Sequence, residues 1–250
     1  FPLIAVSADG SMFSHTKSTV RFSYRIEMIA DALMSYLRSH NLKRIGIVKT
    51  EMAYMNGLVE AMRKRQQPDE SIEIADALQP SDTDFKATIA KLRARKFDAV
   101  GVFLVSGQIS QFYRQSKQLA FNSATFGTDF FDSLKEVNEA QGAMSGAVFA
   151  APLVSREFSE RYVKMFGNDL QAAWAANGYE YAVLTAKLFG KWHGPLTTDQ
   201  ILERYKSSMN ESAGATIIHY NASPESPGFD IDVVIREIQK DKIVTLERVK

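Results

Sequence analysis

Four polar or flexible positions stand just beyond short apolar runs: Tyr54, Ser106, Gly107 and Asp129. Tyr54 follows "RIGIVK" (44–49), Ser106 and Gly107 follow "DAVGVFLV" (98–105), and Asp129 closes "ATFGTD" (124–129). If those runs are parallel strands, their carboxyl ends share one sheet edge, and open α/β sheets hold ligands outside that edge. A phenol, a hydroxyl beside backbone amides, and a carboxylate would then line one crevice. Helix N-termini there suit an anionic group, while the Asp129 carboxylate suits a cation, so a zwitterion satisfies both. Each residue also has a plain structural role open to it: Tyr54 as a core-edge aromatic, Ser106 as an N-cap, and Asp129 as a cap before "FFDSL".

Other chemistries find little support. Neither a G-x-x-x-x-G-K-[ST] phosphate loop nor a G-x-G-x-x-G turn occurs, and "GAMSG" (142–146) lacks the spacing of a G-x-S-x-G nucleophile elbow. His15, His40, His193 and His219 are scattered, with no second ligand four residues on. There is no cysteine, which excludes disulfides and thiolate chemistry. Asp82 and Asp84 stand where a helix begins and serve most simply as caps, with Ser81 and Asp82 as the leading candidates. The reading is of a protein that is not an enzyme and needs no metal or cofactor. The net charge of +1 draws the chain to neither nucleic acid nor anionic membrane. Its basic clusters, Arg63-Lys64-Arg65 and Arg93/Arg95/Lys96, fall at expected helix C-termini, where they complement the helix dipole. No apolar run reaches the ~20 residues needed to span a bilayer.

The elements that must carry these residues follow from periodicity. Ile26/Ile29/Ala30/Leu33/Leu37, Met55/Leu58/Val59/Met62 and Phe85/Ile89/Leu92 form stripes at the 3.6-residue helical period. Between the helices lie "RIGIVK", "SIEIAD" (71–76), "DAVGVFLV", "ATFGTD" and "GAVFAAP" (146–152), short and apolar enough for strands covered on both faces. Strict alternation from 26 to 150 predicts an α/β fold with a parallel sheet and helices on both faces. Three successive helices are expected after it, over 155–166, about 171–190 and 198–209. The chain then ends in a predicted hairpin. Phe229, Ile231, Val233 and Ile235 alternate inward, "QKDK" turns, and "IVTLERV" returns.

In order along the chain, "FPLIAVSAD", "VRFSYRIEMIADALMSYL", "KRIGIVKTEMAYMNGLVEAM", "DTDFKATIAKLRARKFDAVGVF", "FGTDFFDS", "GAVFAAP" and "GYEYAVLTAKLF" resemble the motifs of one family. It is the periplasmic-binding-protein type I family, in its branched-chain amino-acid (Leu/Ile/Val-binding) subgroup of ABC-transporter substrate-binding proteins. The resemblance covers essentially the whole chain. It implies two lobes of doubly wound parallel sheet joined by three crossovers: residues 1–22 and 151–218 in lobe 1, and 23–150 and 219–250 in lobe 2. It also implies a solute-binding protein that captures a small, amino-acid-like ligand between the lobes in the periplasm, or another extracytoplasmic space, and delivers it to an ABC-transporter permease. A ligand-sensing domain of a receptor or regulator is the alternative use of the same fold.

Carried over by position, Tyr54 matches the family's tyrosine at the ligand, Ser106 falls near a second aromatic position, and Asp129 matches the acid that takes a ligand ammonium. Ser7 and Asp9 fall on the first-lobe loop that binds the carboxylate, and Trp174 near an aromatic that closes over the side chain. The chain departs from the pattern at Met55, where a glycine is usual, and at Asp9, where a hydroxyl residue is usual. A second acid there argues against a plain carboxylate ligand. Ser106 is smaller than the family's aromatic, leaving the pocket wider or differently filled.

The family's first lobe carries several βα units ahead of "FPLIAV", so roughly a hundred residues are expected to be absent here, at ~30 residues per βαβ unit. The first lobe is then incomplete, and the signal or anchor segment is not in this chain. An exposed apolar surface is expected on helices 155–209, open to dimerisation.

Overall fold

The alternation expected over 26–150 is present in a computed structural model, which describes residues 3–5, 19–169, 172–208, 212–221 and 228–249. Ser7 and Asp9 lie outside the described residues. The chain divides into two compact units: residues 1–25 with 152–233, and residues 26–151 with 234–249.

The second unit begins with α1 (Ile26–Ser39), β3 (Arg44–Thr50) and α2 (Ala53–Arg63), the first strands β1 (Leu3–Ala5) and β2 (Thr19–Phe22) belonging to the other unit. It continues through β4 (Ser71–Leu78), α3 (Lys86–Arg95), β5 (Ala99–Phe103), α4 (Gln108–Gln118), β6 (Ala124–Gly127), α5 (Leu134–Glu139) and β7 (Val148–Pro152), and closes with β10 (Val233–Gln239) and β11 (Lys242–Val249). The seven strands lie in the order β11-β10-β7-β6-β5-β3-β4, and those from β4 to β7 are all parallel. From β3 the chain runs outward to β4, then returns past β3 to build β5 on its other side. That reversal makes the gap between the ends of β3 and β5 the topological switch point of the sheet.

Side-chain alternation sends successive strand residues to opposite faces. Val100 and Val102 join one core with Ile89 and Leu92 of α3, Ile109 and Phe112 of α4, and Val137 of α5. Phe103 falls on the other face, where its ring meets Phe126 edge-on at 5.7 Å. The helix α1 packs on α2, and its stripe Ile29, Ala30, Leu33 and Leu37 is buried to 1% exposure or less. The basic clusters end α2 and α3, as their dipole role requires. The expected capping of α3 by Ser81 and Asp82 is not what forms. Asp82 instead accepts from the Gln79 amide and closes the preceding turn, while Asp84 accepts from Lys86 N at 3.1 Å and the Gln115 side chain takes the Phe85 amide at 2.7 Å.

In the first unit, a four-stranded sheet runs β1-β2-β9-β8, with β8 at Ile218–Asn221 and β9 at Gly228–Ile231. The pairings β1·β2 and β2·β9 are parallel, and β8·β9 is antiparallel. Its helices are α6 (Arg156–Phe166), α7 (Ala172–Phe189) and α8 (Thr198–Ser207). Two sequence expectations are corrected here. Residues 219–250 were expected to belong together in lobe 2, but β8 and β9 pair with β2, and only 234–249 sit with the second unit. The inward alternation from Phe229 to Ile235 is therefore cut at Asp232: Phe229 and Ile231 serve one sheet, and Val233 and Ile235 serve the other. The hairpin is formed by β10 and β11 alone, through a turn at Lys240-Asp241.

Two buried charges organise the first unit. Arg21, with no exposure, donates to an oxygen of Asp230 and to the Ser23 carbonyl. The same Asp230 accepts from Arg25 at 3.0 Å and Asn221 at 3.0 Å. Glu180, also fully buried, takes the amides of Ala213, Ala215 and Thr216 and so fixes that loop against α7. Apolar side chains are exposed on these helices, led by Met165 at 73% and Phe166 at 57%.

Candidate functional site

At the switch point, β3 delivers Tyr54 in the first turn of α2, and β6 delivers Asp129. The two side chains meet: the Tyr54 hydroxyl donates to Asp129 Oδ1 at 2.9 Å. This contact reaches across the end of β5, which lies between β3 and β6 in the sheet. Asp129 opens a short 3₁₀ turn, Asp129–Phe131, and the Thr128 hydroxyl before it accepts from the Phe130 amide. The ring of Phe130 lies 6.1 Å from that of Tyr54. Below the turn, Asp132 is held by Arg236 of β10 at 2.6 and 2.7 Å. The carboxylate of Asp129 is therefore presented by a segment pinned on both sides.

Ser106 and Gly107 also reach this edge. Ser106 is exposed, and it does not cap α4. The cap position is Gly107, at φ +88°, a left-handed backbone that glycine adopts without the cost a Cβ imposes. The amides that were expected to await an anion are already engaged. Glu136 of α5, 1% exposed, accepts from Gly107 N through Oε1 and from Ser110 N through Oε2 at 2.8 Å. The protein thus supplies its own carboxylate to the N-terminus of α4, where the dipole stabilises it.

The rest of the edge is cross-braced. Thr50, at the end of β3 and fully buried, donates to Gln108 Oε1 at 2.6 Å. The Gln108 amide group donates to the carbonyls of Gln79 and Asp82 at 2.8 and 2.9 Å. Lys49 is 5% exposed and donates to Glu51 at 2.6 Å and Asn56 at 2.7 Å. Its ammonium is thereby neutralised, and the Glu51 carboxyl is held below its usual range by the Lys49 and Asn56 hydrogen bonds.

Trp174 belongs to the first unit. It stands on α7, 39% exposed, its ring 6.1 Å from that of Tyr24. Among the described residues, no group of three or more His, Asp or Glu side chains could hold a metal ion, and no helix is long and apolar enough to cross a membrane. Glu136, Gln108 and Thr50 were missed by sequence reasoning. Gln108 and Thr50 carry no spacing signal. Glu136 had one in Ser133, three residues before it, the start of a short capped helix.

A family model described as periplasmic binding protein matches residues 2–223. The chain belongs to the periplasmic binding protein family. A search of the curated proteins finds no match. Among solved structures, this family member is similar to a leucine binding protein from Thermotoga maritima MSB8 (TM-score 0.82, 18% identity, covering 100% of this chain and 73% of that one). It is also similar to a branched-chain amino-acid transporter substrate-binding protein from Streptococcus pneumoniae solved with isoleucine (0.78, 18%, 100% and 72%). A third is a solute binding protein of an ABC transporter from Rhodopseudomonas palustris solved with benzoate (0.74, 17%, 99% and 70%). The fold expected from the sequence, α/β with the parallel sheet of the type I periplasmic binding proteins, is the fold found.

Proposed function

We propose that this periplasmic binding protein captures a small polar, amino-acid-like ligand for uptake by an ABC-transporter permease, in the periplasm, by binding rather than by catalysis. The observation that carries the reading is the Tyr54–Asp129 pair at the switch point of the seven-stranded sheet. A carboxylate oriented by a phenol attracts an ammonium. No compensating anion site is left on α4, because Glu136 holds the amides of Gly107 and Ser110. On this unit the electrostatics therefore favour the cationic end of a zwitterion over a bare aromatic acid of the kind bound by the Rhodopseudomonas protein. Ser106, exposed beside this pair, leaves room for a ligand body. Ser7, Asp9 and Trp174 are the further binding residues in this proposal: Ser7 as a hydroxyl donor to the ligand's carboxylate, Asp9 as an acid that selects for a donor on the ligand rather than a plain carboxylate, and Trp174 on the side chain.

Thermal melting against a panel of amino acids, amines and benzoate tests it. A ligand that binds only the folded state raises stability by ~2.7 kcal/mol at a hundredfold excess over its dissociation constant. An amino acid should shift the midpoint and Asp129→Ala should abolish the shift. A shift with benzoate but with no amino acid or amine, unaffected by Asp129→Ala, overturns the assignment.

A further inference from the structure

The opposite end of the same sheet holds a cavity. Its walls are the amino end of β6 with the residues 121–123 before it, the C-terminal part of α4 and the loop 142–146 that leads into β7, and its volume is about 550 Å³. That is within the range of small-molecule sites, roughly 300–1,000 Å³. Phe112, Phe121 and Ala143 give it an apolar wall, and Ser116, Lys117 and Thr125 give it polar groups.

Those polar groups have protons to give and little to give them to. The Ser116 hydroxyl has no hydrogen-bond partner among the described residues, an exception to the rule that buried hydroxyls are paired, but it is itself buried and backs the wall rather than opening into the cavity. Thr125 Oγ1 accepts from the Tyr113 hydroxyl at 2.8 Å, which leaves the threonine's own proton for another acceptor. Lys117 donates to a backbone carbonyl, that of Gln141, at 3.3 Å, and makes no ion pair among the described residues. Among the described residues, no carboxylate lines the cavity. Across the ridge formed by Phe121–Ser123 is a smaller hollow of about 250 Å³, lined by Arg93, Lys96 and Phe97, again without a carboxylate among the described residues. Arg93 likewise donates to a carbonyl, Leu119 O, at 3.1 Å. The sheet edge at Tyr54 and Asp129 carries a carboxylate; this edge carries cations and unspent donors.

We infer that the cavity at the amino end of β6 binds a small organic carboxylate, its apolar body against Phe112 and Phe121 and its carboxylate on Lys117. The site is separate from the one at Tyr54 and Asp129, being at the other end of the strands, and does not rest on the function proposed for it. An attraction between a single exposed lysine and a carboxylate is modest, so the ligand binds weakly and exchanges fast.

Phenylacetate is a suitable probe, titrated into the full chain with backbone amide ¹H–¹⁵N shifts as the readout. Saturable shifts are expected for amides within 116–125 and 142–146. Lys117→Glu should weaken binding at least tenfold, and the uncharged phenylacetamide should bind at least fivefold more weakly than the acid. Asp129→Asn should leave those shifts unchanged. Absence of shifts at these amides, equal affinity for acid and amide, or indifference to Lys117→Glu each overturns the inference. Shifts that move to residues 50–56 and 129–132 and vanish with Asp129→Asn overturn it too, by placing the acid at the other end of the sheet.

Discussion

Replacing Glu136 by glutamine isolates the carboxylate that closes the N-terminus of α4. The native side chain is 1% exposed and accepts two backbone amides, Gly107 N and Ser110 N. A hydrogen bond to a charged group contributes about 1.5–3 kcal/mol, and the helix dipole adds about 0.3–1 kcal/mol for a negative charge at that end. Glutamine keeps one oxygen, so one bond survives; its NH₂ then faces the other amide donor to donor. The expected loss is about 2–4 kcal/mol, or roughly 5–15 °C in midpoint at 2–4 °C per kcal/mol for a chain of this size. The assay is thermal or urea unfolding followed by far-UV circular dichroism and by tryptophan fluorescence. Both tryptophans, Trp174 and Trp192, belong to the first unit, so fluorescence follows that unit while dichroism follows both. Glu136→Gln should lower the dichroism midpoint more than the fluorescence midpoint. A loss below about 0.5 kcal/mol, the size of an ordinary surface substitution, refutes the reasoning: the carboxylate would then not be holding the helix.

Other predictions concern both units. Asp230→Ala strips the partner from the fully buried Arg21 and should cost about 3–5 kcal/mol, seen as a lowered fluorescence midpoint; an unchanged midpoint would mean Arg25 and Asn221 are not part of one network with it. Gly228→Ala should destabilise the same unit, because a Cβ there would clash with the Arg21 backbone oxygen; the check is whether the soluble fraction and the fluorescence midpoint both fall. Tyr54→Phe should weaken ligand affinity three- to tenfold without abolishing it, by removing the bond that orients Asp129, and calorimetric titration would read this. The Asp98 carboxyl is held below its usual range by the backbone amides of Arg44 and Lys43. Its contribution is therefore complete above the ordinary carboxylate pKa of about 4 and lost as pH falls through its lower folded value. Asp98→Asn should flatten the fall of the melting midpoint on acidification, leaving the neutral-pH slope as it was.

The sheet and its helices were legible because their signals are local. The runs 44–49 and 98–105 are apolar enough for a strand covered on both sides, and the stripes at Ile29/Leu33/Leu37 and Phe85/Ile89/Leu92 are spaced for helices. That the sheet is parallel followed from alternation alone; the order of its strands, with β4 outside β3, did not. What was not legible depends on partners far apart in the chain. Phe229 and Ile235 share one inward alternation, and nothing local marks Asp232 as the residue where the chain changes sheets. Strand pairing with β2 decides that, and β2 is about two hundred residues away. At the candidate site, the strand ends showed where Tyr54 and Asp129 would be, since both stand just past strands. That Glu136 would satisfy the amides of α4 was hidden, because a buried glutamate on an amphipathic six-residue helix looks like any surface acid in sequence.

The pairing of Arg21 with Gly228 also sets an order of events in synthesis. A ribosome adds about 5–20 residues per second, so β2 waits roughly 10–40 s for the strand that flanks it. Meanwhile residues 26–151 emerge in one uninterrupted stretch, carrying five of the seven strands of their own sheet. The segment bearing Tyr54 and Asp129 can thus assemble while "TVRF" still shows an open edge, the form in which a nascent chain is most exposed to wrong partners and most in need of a chaperone's cover.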